Sequence, residues 1–162
     1  MHLRTHISLF VLLLVFAGPR PAGAQGGGPP LAVQGQQDLQ FGQLLGGVAS
    51  PVSPDNAGQN AQLRIRGRQN QTLELVFDLP AALQRPAGGQ IPLAFGPSDG
   101  HFSASGSTGD RIPFDPTTPW TVTLTEQGWS WVFLGGTALP PAQAPLGEYS
   151  ATITLTLSDL GS

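Results

Sequence analysis

From Tyr149 to Ser158 the chain alternates without a break. Tyr149, Ala151, Ile153, Leu155 and Leu157 hold the odd positions, and Ser150, Thr152, Thr154, Thr156 and Ser158 the even ones. Successive side chains of a strand point to opposite faces, so this pattern makes one apolar face and one hydroxyl face, whereas a helix would scatter both sets around its circumference. The sequence therefore predicts a half-buried final strand over 149–157 in a sheet that must cover its apolar face with another layer. Leu73, Leu75, Phe77 and Leu79 alternate in the same way against Thr72, Glu74 and Asp78. No window of comparable length shows a 3.6-residue apolar period, which leaves very little helix.

Only 10% of the chain is charged, while 22 Gly and 16 Pro punctuate it, so the alternating segments come out short and separated by turns. Residues 31–33 and 38–41 form a broken first strand with a bulge at Gly35. Further strands are expected over 46–52, 61–66, 72–79, 91–95, 120–125 and 129–134. The last two are joined by Glu126-Gln127-Gly128, which predicts a hairpin whose two-residue loop sets Leu124 against Trp131 and Val122 against Phe133. Residues 97–116, rich in Gly, Ser and Asp, read as a long mobile loop with room for one short strand. The fold class is all-β, a two-sheet antiparallel β-sandwich of about seven to nine strands.

Residues 1–24 carry the parts of a secretory signal peptide in order. A basic opening (His2, Arg4, His6) precedes an apolar run over 7–17 and a small-residue tail ending Ala22-Gly23-Ala24. The run is about 11 residues long, far short of the roughly 20 that a helix needs to cross a bilayer, so cleavage without membrane insertion is expected. Residues 25–30, Gln-Gly-Gly-Gly-Pro-Pro, form a flexible leader, and 31–162 a single domain. Lysine is absent, and the expected mature chain keeps Arg64, Arg66, Arg68, Arg85 and Arg111 against ten carboxylates. That balance argues against nucleic acid, whose binding rests on clustered cations. Cysteine is absent too, which removes thiol catalysis, disulfides and cysteine-ligated zinc.

No catalytic, cofactor or metal site is assigned. His101, the one histidine after residue 24, lies in Asp-Gly-His-Phe-Ser with no nucleophile elbow nearby and reads as a solvated loop residue. Asp99, His101, Asp110 and Asp115 match no metal-loop spacing. Glu74, Asp78, Glu126 and Glu148 read as solubilising charges rather than an acid–base pair. The candidate ligand or partner surface is Arg64, Arg66 and Arg68, every second residue and hence one face of one strand, together with Trp129 and Trp131. The arginine stripe reads as an exposed sheet face or protected edge, with acidic-polysaccharide binding as its functional alternative. Trp129, Trp131 and Phe133 share a face that the predicted hairpin assigns to the core; turned outward they would form an aromatic platform for sugars.

Asp38-Leu-Gln-Phe-Gly42 followed by Leu44-Leu-Gly-Gly47 resembles the opening of a bacterial family known as domain of unknown function 4402. Leu134-Gly-Gly-Thr137, Pro141-Ala-Gln-Ala144 and Gly147-Glu-Tyr-Ser150 with its alternating Thr tail are similar to that family's closing pattern. A similar ending occurs in the spore coat protein U group and in archaic chaperone-usher pilins. The resemblance implies an immunoglobulin-like sandwich exported to the periplasm, the outer cell surface or beyond, acting as a non-enzymatic surface or fimbria-like subunit. Other surface subunits or a periplasmic chaperone would be its partners. A stand-alone secreted carbohydrate-binding module, with a glycan as partner, is the alternative. The cysteines common in archaic pilins are absent, and Gly-Gly-Gly-Pro-Pro offers no side chains that could fill a neighbour's groove, so a self-complete domain or a terminal subunit is expected.

Overall fold

The computed structural model describes residues 29–161; the expected signal peptide over 1–24 and residues 25–28 of the expected leader lie outside the described residues. It is a β-sandwich of three antiparallel sheets rather than the expected two, because four short strands pair into a sheet of their own. The first sheet runs, in spatial order, β1 (Ala32–Gln37), β3 (Ala61–Arg66), β10 (Trp129–Leu134), β7 (Gly100–Ser103) and β8 (Ile112–Phe114). The second is β2 (Ser50–Val52), β11 (Gly136–Ala138), β6 (Gln90–Ala94) and β5 (Ala82–Gln84), and the third β12 (Thr154–Gly161), β4 (Thr72–Asp78) and β9 (Trp120–Thr123). A reciprocal pair of backbone hydrogen bonds between Gln84 and Ser150, 2.8 and 2.9 Å, ties the second sheet to the segment that leads into β12.

All three sheets empty their apolar faces into one core. Leu63, Ile65, Val132 and Leu134 enter it from the first sheet, Leu83 and Ile91 from the second, and Leu73, Leu75, Leu155 and Leu157 from the third. Full burial of each such side chain stabilises the fold by about 1.5–3 kcal/mol, so no one strand carries the domain alone. The final segment shows the expected faces. Tyr149, Ile153, Leu155 and Leu157 are buried, Ala151 is half-buried against the core, and the hydroxyl series points away. Regular pairing begins only at Thr154, because the chain over 149–153 changes neighbours from β5 to β4.

Several expectations change. Twelve strands form among the described residues, more than seven to nine, because β5, β8 and β11 are three-residue strands too short for periodicity to reveal. The register shift between Gly35 and Gln37 confirms a bulge in β1, but residues 38–41 are irregular and place Leu39 and Phe41 in the core. Strand pairing over 46–52 is confined to β2. The stretch over 97–116 holds β7, β8 and a 3-10 turn, Thr108–Asp110, rather than one long loop.

The hairpin is the largest correction. β9 pairs with β4 and β10 with β3, so the turn over 125–128 carries the chain from one layer of the sandwich to the other instead of folding it back on itself. The connection from β3 to β4 makes the same crossing, and the two turns lie side by side. Gly67 N–H donates to Gly128 O at 2.8 Å and Leu124 N–H to Gln71 O at 2.9 Å. Gly128 adopts φ +71°, and a Cβ there would stand 2.6 Å from the Gly67 carbonyl oxygen. Glycine is thus required twice over, for its left-handed backbone and for the close approach of the neighbouring turn.

Candidate functional site

With β3 and β10 in register, the residues of their outward faces stand opposite one another: Arg66 with Trp129, Arg64 with Trp131, and Gln62 with Phe133. The core-facing residues of β10 are therefore Ser130, Val132 and Leu134, beside Ile65, Leu63 and Ala61 of β3. Trp129 and Trp131 belong to the outer face and are not part of the core, contrary to the assignment drawn from the hairpin; Phe133 shares that outer face but is buried there, 3% exposed, beneath Arg111 and apart from the shared core. The tryptophan that does pack on the core is Trp120, stacked 4.6 Å from Phe114.

The outer face is a ladder of aromatic rings and guanidinium groups. Trp129 and Trp131 meet edge to face at 6.3 Å, and Trp131 stacks on Phe133 at 6.4 Å. Arg64 lays its guanidinium 4.8 Å from the Trp129 ring centre and 5.7 Å from that of Trp131. Arg111 lies 3.7 Å above Phe133. Cations over aromatic faces are attracted by the ring quadrupole, by about 0.5–1 kcal/mol where exposed and about 2 kcal/mol where desolvated. The Nε of Arg64, the Nε of Arg111 and the Nε1 of Trp131 are buried without a hydrogen-bond partner.

One end of the ladder is closed. Arg111, whose side chain is only 6% exposed, donates from Nη1 to Asp55 Oδ1 at 2.7 Å and to the Pro54 carbonyl at 2.8 Å. His101 Nδ1 lies 3.1 Å from the same Asp55 oxygen. Desolvation, the largest single influence on Asp55, pushes its carboxyl up, but the hydrogen bonds and charges of Arg111 and His101 together outweigh it and hold it below the usual aspartate value. Gly106, in the segment that follows β7, lies against the nitrogen-bearing edge of the Trp131 indole, so that a Cβ there would sit 2.9 Å from the indole nitrogen. Ser103 Oγ staples that segment, accepting from Gly106 N–H at 2.7 Å and donating to Asp110 Oδ1 at 2.5 Å. The Ser103 bond lowers the Asp110 pKa.

The other end is open: Arg66 and Gln34 are exposed, and Arg64, Trp129 and Trp131 are half-buried. Four of the five candidate surface residues, Arg64, Arg66, Trp129 and Trp131, are thus brought together on one sheet face. Arg68 is not among them, because β3 ends at Arg66 and Arg68 turns to the third sheet, where its Nη2 is 2.9 Å from Asp159 Oδ2. Sequence reasoning passed over Arg111 and Gln34, although Gln34 stands opposite Arg64 in the β1–β3 register.

The remaining candidates serve local structure. His101 sits on β7 with its side chain 16% exposed, not in a solvated loop. Asp99 accepts from Gly96 N–H, and Asp115 from Thr117 N–H and Oγ1, each closing its own turn. Glu74, between Ser158 and Thr121, lies on the solvent side of the third sheet. Among the described residues no group of three or more His, Asp or Glu is placed to hold a metal ion. No protein-family model matches the chain, and no curated protein matches its sequence.

Proposed function

We propose that the protein is a secreted, non-enzymatic structural subunit of a surface or fimbria-like assembly. The observation that carries this reading is what the chemistry-bearing side chains are used for. His101, Asp55 and Asp110 bond to neighbouring segments and Asp99 and Asp115 close their own turns, as ties in a scaffold. The signal-like N-terminus and the resemblance to domain of unknown function 4402, with its immunoglobulin-like sandwich, support export to the periplasm, outer surface or beyond.

A domain complete in itself is supported by the burial of the edge strands' inner residues. Val33 of β1 is 5% exposed, and Leu155 and Leu157 of β12 are 0% and 2% exposed, so they are covered without a strand from a neighbour. The outer backbone edges of β1 and β12 pair with no other strand among the described residues and offer a template for lateral association. A stand-alone secreted carbohydrate-binding module is the second reading, favoured by the outward tryptophans.

Immunogold labelling of producing cells tests the subunit reading: label on the outer surface or its appendages is expected, and label confined to the cytoplasm would overturn it. His101→Ala should leave surface display unchanged. A hydrolytic activity of the purified protein that disappears with this substitution would identify an enzyme instead.

A further inference from the structure

We infer that the open end of the outer sheet face, formed by Gln34, Arg64, Arg66, Trp129 and Trp131, binds an acidic polysaccharide, a glycan bearing uronate or sulfate groups. Of the five arginines described, Arg68, Arg85 and Arg111 are engaged by Asp159, by backbone carbonyls and by Asp55. Arg64 and Arg66 have no carboxylate within 4.0 Å among the described residues. In a chain of net charge −3, two unneutralised guanidinium groups side by side are a segregation of charge that complements an anion.

The geometry narrows the class of anion. Arg64 lies over two indoles with its Nε covered, which fixes the plane of its fork before any ligand arrives. A pre-ordered fork loses little entropy on forming paired hydrogen bonds to a carboxylate or sulfate. Two residues along a strand separate Arg64 from Arg66 by about 6.8 Å, an interval suited to charges spread sparsely along a polymer. The half-buried indoles offer apolar surface to the C–H face of a sugar ring, and the exposed Gln34 amide can both donate to and accept from hydroxyls. Nucleic acid is a poorer match, since duplex DNA carries a charge about every 1.7 Å and would meet the chain's excess of carboxylates. The assignment holds whether the domain sits in an assembly or stands alone, so it and the subunit reading fail separately.

Native gel electrophoresis through matrices containing polygalacturonate, dextran sulfate or neutral dextran tests it. The purified protein should be retarded by at least one of the two polyanions and not by neutral dextran, and which polyanion retards it identifies the anionic group. Arg66→Gln, at an exposed position, should weaken retardation by about tenfold, and Arg64→Gln and Trp129→Ala by at least as much. Arg68→Gln makes the same charge change off this face and should bind as the parent does, and near-UV circular dichroism reports whether each variant is folded. Equal mobility in all three matrices, equal retardation by neutral dextran, or equal loss from Arg68→Gln and Arg66→Gln would overturn the inference.

Discussion

At the scale of single residues, the fold depends on a few positions where backbone or charge leaves no choice. Gly128 combines φ +71° with a Cβ position 2.6 Å from the Gly67 carbonyl, so Gly128→Ala must shift the neighbouring turn. It should lower stability by about 1–3 kcal/mol, read as a reduced denaturant midpoint with unchanged m-value. Asp55 and Asp110 are both held below the ordinary aspartate value of 3.8. A carboxyl whose folded pKa is lowered binds fewer protons folded than unfolded, so its contribution is complete above the unfolded value and is lost as pH falls through the folded one. The melting temperature should therefore drop as pH falls below about 4. Asp55→Asn should lower the melting temperature near neutrality and flatten that drop, as thermal unfolding between pH 3 and 7 would reveal. A variant as steeply acid-sensitive as the parent would show that the tie to Arg111 and His101 does not report on folding.

At the scale of elements, alternation named the faces of the last strand but not its partners. Ile153 is fully buried and Thr154 half-buried on the opposite side. Ile153→Asp places an unpaired charge in the core and should abolish soluble accumulation, since a small domain has only about 5–15 kcal/mol to lose. Thr154→Asp should be mild, and equal tolerance of the two in an expression and solubility comparison would mean the faces are reversed. The strand over 129–134 shows where periodicity fails. Ser130, Val132 and Leu134 alternate with Trp129, Trp131 and Phe133, so the largest residues lie on one face and yet both faces are compatible with burial. Pairing with β3 decided the matter, because β3 has Arg64 and Arg66 on its outer face and Leu63 and Ile65 inside. Neighbouring strands in register share their faces, so the tryptophans had to follow the arginines outward.

For the whole molecule, the burial of Val33, Leu155 and Leu157 on the inner sides of the edge strands predicts a protein that sediments as a monomer, with and without residues 25–30. A deletion reaching 36 would instead remove most of β1 and its pairing with β3. Polymers that resist heat and vanish on removal of residues 25–30 alone would show a strand borrowed between copies. Alternation, the turn residues and the scarcity of charge determined by themselves an all-β sandwich, the inner face of its last strand, the bulge in its first, and the shared face of Arg64 and Arg66. Those properties are local, since each follows from the spacing of neighbouring residues along one strand. Only the tertiary structure decided that the segments over 120–125 and 129–134 part into different sheets and that Arg68 turns away to Asp159. It alone joined Arg64 and Arg66 to Trp129 and Trp131 as one surface. A turn's sequence specifies how sharply the chain bends, while the sheet it enters next is set by long-range pairing and by which faces the shared core must cover.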